Sequence, residues 1–600
     1  MLCMCIVQCS AVIVRGPRKM AEGRESQVST TKSLYDLSVY EIAENFLVFK
    51  NYLAYLPENV QFDIYHELYK EKRLCLLGME FTDLETFSKM LKVTNRRIHL
   101  LESFQALMDH GTKVGHQLSI NYNLQSLRVR ENPQAKKKII NLGLRLGGFL
   151  SDAGWYRNSE MVLLPCKNLC LTDNQTPENW CRTLDCCYKL LLAQAGYCSF
   201  RSAAETYTLA LETIEKLNQA GYTEINHAAL YAEFSTLFFL RCEYDKAYSW
   251  SIEALKELKP TLPAKITIDV LRKAAKACVM KREFQKAGLL IRQAIYLTRE
   301  VFDLHHPKCS DVLIDYGFYL LNYDSIMNSV TIFSMALDIR KAIFGKNNIH
   351  VALAHEDLAY ALYVYEYSSG IFVEASNHVG QAIRIMEKLL PSDHLMLSSA
   401  RRVKALILEE IALDNIAAPM SEQNLLQKSE CLHLSALHVS KNTFGENNVQ
   451  TAKHYGNLGR LYQSMRKFKK AEEMHIRAIT IKEEILGPDD YEVGLSLGHL
   501  ASLYNFHMNR FRDAAELYNR SIAISLKLYG KSYSGLEYDY RGLLHAYEKL
   551  DEYDKVLEYT DTLTEWKELR DKRAQSEDPP IDLQKRPQPI EDVLNTFFSM

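Results

Sequence analysis

Between Asn457 and Gly530 the chain comes close to repeating itself, and this limits the possible fold more than any other feature of its 600 residues. The stretch NLGRLYQSMRKFKKAEEMHIRAITIKEEILG (457–487) aligns with HLASLYNFHMNRFRDAAELYNRSIAISLKLYG (499–530). Leu458 falls on Leu500, Tyr462 on Tyr504, Phe468 on Phe511, Ala471 on Ala514, Arg477 on Arg520 and Gly487 on Gly530. The step is 42 residues, and 43 where the loop before Phe511 is one residue longer. Self-similarity at such a step marks stacked supersecondary units, each burying its apolar face only against its neighbours.

The same unit runs through most of the chain. Its marker is a pair of small residues seven apart: Ala247/Ala254, Ala287/Ala294, Ser329/Ala336, Ala375/Ala382, Ser429/Ala436, Ala471/Ala478 and Ala514/Ser521. Seven residues is about two helical turns, so both members share one face, where another helix can come close. Nine residues further on stands a helix stop, Gly345, Gly445, Gly487 or Gly530, with Pro391 once in that slot. Aromatics at Tyr244, Phe284, Phe372, Phe468 and Phe511 open the second helix of each unit. The expectation is an all-α solenoid of antiparallel helix pairs. It resembles the tetratricopeptide repeat in its 42-residue form, also found in kinesin light chains, with seven good units and a degenerate eighth near Tyr547, Tyr553 and Val556.

Chemistry is hard to find. The formal charge of −2 and a single basic run, Lys136–Lys138, offer no field for nucleic acid. Fourteen cysteines follow no disulfide or zinc spacing. Cys166 and Cys170, and Cys181, Cys186 and Cys187, read as reduced core thiols in a reducing compartment, with no metal and no cofactor expected. Gly345-Lys346 lacks the rest of a phosphate loop, and no nucleophile elbow or zinc-helix motif occurs. Residues 1–14 are apolar but lack a basic front, and an alternative start at Met20 is expected rather than a signal peptide. The predicted organisation is a disordered extension over 1–32, a helical region over 33–130, the repeat array over 140–565 and a disordered tail over 572–600.

Two patterns mark the amino-terminal region. Ser33-Leu34-x-x-x-Ser38-x-x-x-Ile42 resembles the box that docks on elongin C, and Leu56-Pro57-x-x-Val60, fourteen residues on, resembles the cullin-2 box. Leu34, Leu37, Ile42 and Phe46 fit one helical face, and Pro57 opens a second helix.

A solenoid also presents a concave groove, lined by the first helix of each pair. Repeat position puts Asp311, Asp315, Glu356, Asp357 and Tyr360 in its acidic middle. Lys453, Asn457, Arg460 and Gln463 follow, then His499, Ser502 and Asn505, with Arg541 in the last helix. Such a set suits a peptide carrying a cation and a free carboxylate, because arginine pairs bidentately with carboxylates.

The segments LPENVQFDIY, GGFLSDAGWY, LIDYGFYLLN, HVALAHEDLAY, TAKHYGNLGRLYQSMRKFKKAEEMHI and SGLEYDYRGL carry the resemblance further. Over residues 33–570 the chain resembles the tetratricopeptide-repeat substrate receptors of cullin-2 RING ubiquitin ligases. The resemblance implies a non-catalytic receptor with elongin B and C, cullin-2 and a RING-box protein as partners. It implies substrates ending in Arg-x-x-Gly, and association with microtubules and the amyloid precursor protein cytoplasmic tail in intracellular transport. Cytoplasm and nucleus are the implied locations, with peripheral membrane association. The groove assignment, with the substrate arginine on Asp311, Asp315, Glu356 or Asp357 and its carboxylate on Lys453, Asn457, Arg460 or Arg541, follows from repeat position alone. The competing reading is a kinesin-light-chain-like cargo adaptor.

Overall fold

The structure, a computed structural model, describes residues 33–600 apart from 130–132, 173, 223–224, 303–304, 368, 414–418, 576–580 and 583. The expected extension over 1–32 lies outside the described residues, as does most of the connection after Leu413. Among the described residues every regular element is a helix. Antiparallel pairs follow one another from Pro133–Asp152 with Tyr156–Leu171 to Leu536–Lys549 with Tyr553–Gln575. The array is therefore wider than 140–565, and its last, degenerate unit is a complete hairpin.

The small-residue pairs do what their spacing predicts. All seven are buried, from Ala247 and Ala254 to Ala514 and Ser521, in the seams between helices. Ser329 and Ser429 add a hydrogen bond across the seam, donating to the carbonyls of Gly317 at 2.9 Å and Ala405 at 2.9 Å. Gly487 and Gly530 end their helices at φ of 87° and 78°, a left-handed conformation that costs glycine little.

A contact that no single repeat encodes closes the array. The residue that caps the first helix of one hairpin reaches the carbonyl at the end of a first helix about 200 residues earlier. Asn348 Nδ2 donates to Ala153 O at 2.8 Å, and Asn448 Nδ2 to Arg241 O at 3.1 Å. His394 Nε2 lies 3.1 Å from Tyr197 O. At the last such junction Ser534 N donates to Asp324 Oδ2 at 3.0 Å, and Arg570 holds the same carboxylate at 2.5 Å. Successive superhelical turns thus touch directly, and the concave face is enclosed.

Two expected boundaries are corrected. The amino-terminal region is no separate body: Phe87 and Phe104 stand edge-on to Phe149 of the first hairpin, with centroids 5.4 and 5.1 Å away. Nor is the stretch after Lys572 loose where it is described. The Ile590–Ser599 helix buries Val593 and Phe597 against the Phe284–Val301 helix. Gln293 clamps it by donating to Gln588 O at 2.6 Å and accepting from Gln588 N at 3.0 Å. The apolar side of IEDVLNTFF has found a matching stripe, which outweighs the proline-rich composition before it.

Candidate functional site

The front end is built on a helix that the sequence caps firmly. Ser33 Oγ accepts from Asp36 N at 3.1 Å while Asp36 Oδ2 accepts from Ser33 N at 3.3 Å, a reciprocal capping box. Ser38 Oγ donates to Leu34 O at 2.7 Å. The face proposed to unite Leu34, Leu37, Ile42 and Phe46 is split by the fold. Ile42 and Phe46 turn toward the core, whereas Leu34 is 82% exposed and Leu37 lies open beside it. Leu56 and Val60 are half-buried in packing, and the exposed Pro57 opens the Glu58–Lys70 helix. Sequence reasoning missed Leu47, Val48, Tyr52 and Tyr55, which also face outward and widen the apolar ledge. Their signal was a run, FLVFKNYLAYL, too apolar for the few inward positions a short helix offers.

Inside the closed superhelix most of the charges chosen from sequence are already taken. Asp315, 3% exposed, is held by Arg272 at 2.6 Å and Lys276 at 3.0 Å. Asp311 pairs with Arg340 at 3.2 Å; burial alone would raise its pKa, but Lys308, Arg272 and Arg340 together hold it at about 2. Lys453 pairs with Glu492 at 2.8 Å, and Arg460 with Glu410 at 2.6 Å. Arg541, with 65% of its side chain exposed, binds Glu537 one turn back on its own helix. Ser502 is buried, and Asn505 Nδ2 donates to Gly542 O at 2.8 Å, so both belong to packing.

Among the described residues several trough side chains remain for a guest, Glu356, Asp357, Arg402 and Asn457 among them. Glu356 and Asp357 have no ion-pair partner among the described residues, and burial pushes their pKa values up to about 7 and about 6. A Ser399 hydrogen bond and the Arg402 charge partly oppose the rise at Glu356. Arg402 itself has no carboxylate partner among the described residues; its guanidinium stands 5.4 Å from the Tyr360 ring. Asn457 is half-buried with its amide uncommitted among the described residues. Glu356 and Arg402 each lie eight residues past the residue that opens their helix, Asn348 and His394, so they occupy the same position on consecutive inner helices. The trough therefore offers an acidic place and a basic place one repeat apart, with an aromatic face between. Arg402 is the residue sequence reasoning missed, because the long connection after Leu413 hid the register of its helix.

The described residues include no helix long and apolar enough to cross a membrane. Residues 410–484 and 450–527 match the tetratricopeptide repeat family. Amyloid protein-binding protein 2 of Mus musculus is 52% identical over 568 residues, which is 94% of this chain and 97% of that protein. The protein of the same name from Rattus norvegicus is also 52% identical over 568 residues, with the same coverage. Among solved structures, a Rap protein complexed with competence and sporulation factor aligns with 67% of this chain and all of its own, at 14% identity and a TM-score of 0.46.

Proposed function

This chain belongs to the amyloid protein-binding protein 2 family, and from that premise we propose that it is the substrate-recognition subunit of a cullin-2 RING ubiquitin ligase. The observation that carries the reading is the exposed leucine at the front: Leu34 stands out from a firmly capped helix, at the head of an apolar ledge that no other described residue covers. Sealing one such side chain into a partner's pocket contributes about 1.5–3 kcal/mol. Elongin C, bringing elongin B, takes Leu34 and its neighbours, and cullin-2 with its RING-box protein takes the surface around Pro57.

The trough receives the substrate's carboxyl-terminal tail. An arginine fourth from the end pairs with Glu356 and Asp357 and stacks on Tyr360. The terminal carboxylate goes to Arg402 with Asn457 beside it, not to Lys453, Arg460 or Arg541. The receptor performs no bond chemistry. It raises the effective concentration of substrate lysines near the conjugating enzyme. The relatives' name points to an amyloid protein as one guest, and a role in transport along microtubules in the cytoplasm and nucleus fits the same adaptor logic.

The test is co-purification of elongin B and C and cullin-2 with the full chain. Association lost on combining Leu34→Ala with Pro57→Ala, at unchanged melting temperature, supports the receptor reading. Binding to motor proteins that survives this double change, with no elongin bound to the wild type, replaces it by the cargo-adaptor reading.

A further inference from the structure

The cysteines that the sequence scatters are brought together in one place. Cys166 and Cys170 lie one turn apart on the Tyr156–Leu171 helix, and Cys186 faces them from the Pro177–Gly196 helix. The three Sγ atoms lie within 4.8 Å of one another, the only such convergence among the described residues, and all three side chains are buried. Buried thiols usually serve as small apolar fillers. Cys187, Cys242, Cys278 and Cys309 fit that description, since they are buried but join no cluster. The three sulfurs differ in standing together around one centre, although as thiols Cys166 donates to Ile140 O at 3.5 Å and Cys186 to Leu163 O at 3.7 Å. The wall around that centre is tight: a Cβ on Gly143 would stand 2.1 Å from Tyr122 Oη and 2.9 Å from Cys166 Sγ, so only glycine lets the ring and the thiol stay there.

We propose that Cys166, Cys170 and Cys186 hold one thiophilic d10 metal ion, Zn(II) or Cu(I), which ties the Tyr156–Leu171 and Pro177–Gly196 helices together. Metal–sulfur bonds of about 2.3 Å place three sulfurs about 4 Å apart around an ion, a spacing that falls inside the 4.8 Å limit within which the three Sγ atoms stand. Thiolates select soft ions over magnesium or calcium. Binding exchanges three S–H protons for three metal–sulfur bonds, so one ion enters as three protons leave to solvent, with no change of oxidation state. Cu(I) is satisfied by three thiolates, whereas Zn(II) takes a fourth, non-protein ligand. The site lies away from the front ledge and the trough, and it stands or falls independently of the receptor reading.

The test uses the reduced, full-length chain, stripped of metal by a chelator and kept anaerobic. One arm titrates Co(II) as the spectroscopic stand-in for Zn(II), and the other titrates Cu(I) against a competing chelator. The expected result is a thiolate-to-metal charge-transfer band saturating at one ion per chain, with release of close to three protons. The same titration on Cys186→Ala should bind at least about tenfold more weakly, while Cys187→Ala, a buried neighbour outside the cluster, binds as the wild type does. Whichever arm saturates at the lower free metal identifies the ion. Absence of a stoichiometric band in the wild type with both metals, or equal binding by Cys186→Ala and the wild type, overturns the proposal.

Discussion

Replacing Glu356 with glutamine removes a carboxyl that the trough holds in an unfavourable state, and the effect of pH on stability reports it without any ligand. The folded carboxyl titrates near 7 because burial outweighs the Ser399 hydrogen bond and the Arg402 charge, against an ordinary value of 4.5. A raised acid pKa means the folded chain holds a proton the unfolded chain has lost, so this group's contribution falls as pH rises from about 4.5 to 7 and then levels off. The slope approaches 1.36 kcal/mol per pH unit until the folded carboxyl itself ionises. Between pH 5.5 and 7.5 the wild type should therefore lose about 2 kcal/mol relative to Glu356→Gln. Groups remote from Glu356 titrate alike in both proteins and cancel in the difference, as does any pH-independent cost of the amide; the neighbouring Asp357, whose charge itself helps to raise the Glu356 pKa, is coupled to it. Urea unfolding of both proteins at the two pH values reads this number directly. A difference between them that does not change with pH refutes the claim that Glu356 is an unpaired, buried acid. The corollary for binding has the same sign: a cationic guest needs the ionised form, so affinity should rise about tenfold from pH 6 to 8, with one proton released.

The remaining predictions test the frame around the trough. Asp324→Asn keeps a residue that tolerates the left-handed φ of 68° but removes the charge that holds Arg570 and Arg573 one superhelical turn away. It should cost on the order of 3 kcal/mol and make the Tyr553–Gln575 helix the first site of proteolytic cleavage; cleavage elsewhere would argue against turn-to-turn closure. In Gly542→Ala the added Cβ would meet Tyr518 Cζ at 2.3 Å in a fully buried seam, so a loss of about 1–3 kcal/mol is expected in thermal unfolding. Leu34→Asp changes a side chain that is largely exposed among the described residues and should leave the melting temperature of the isolated chain unchanged; a fall would mean that the side chain is packed on its own chain.

The sequence revealed what recurs and concealed what joins distant parts. Ala471 and Ala478 announced their seam because helical period and repeat step both point to them. Nothing in the sequence marked the junctions at Asn348 and Asn448, because their partners, Ala153 and Arg241, depend on the superhelical pitch that the whole array sets. Charge alone misled the choice of trough residues. By repeat position Lys453 and Arg460 read as cations for a carboxylate, but Glu492 and Glu410 come from other helices to neutralise them. Arg402, a guanidinium with no carboxylate partner among the described residues, sits on an inner helix whose register the long connection obscured. At the front the split between outward Leu34 and inward Ile42 needed the core that Phe46 and Leu53 build beneath the helix.

The most direct test of the account is a calorimetric titration of the full chain with a peptide ending in Arg-x-x-Gly, alongside its carboxamide and its arginine-to-alanine counterpart. The account predicts one peptide per chain, with both altered peptides at least about tenfold weaker. Arg402→Gln should erase the preference for the free carboxylate, and Glu356→Gln the preference for arginine. Equal binding of all three peptides, or wild-type affinity and selectivity in both variants, would contradict it.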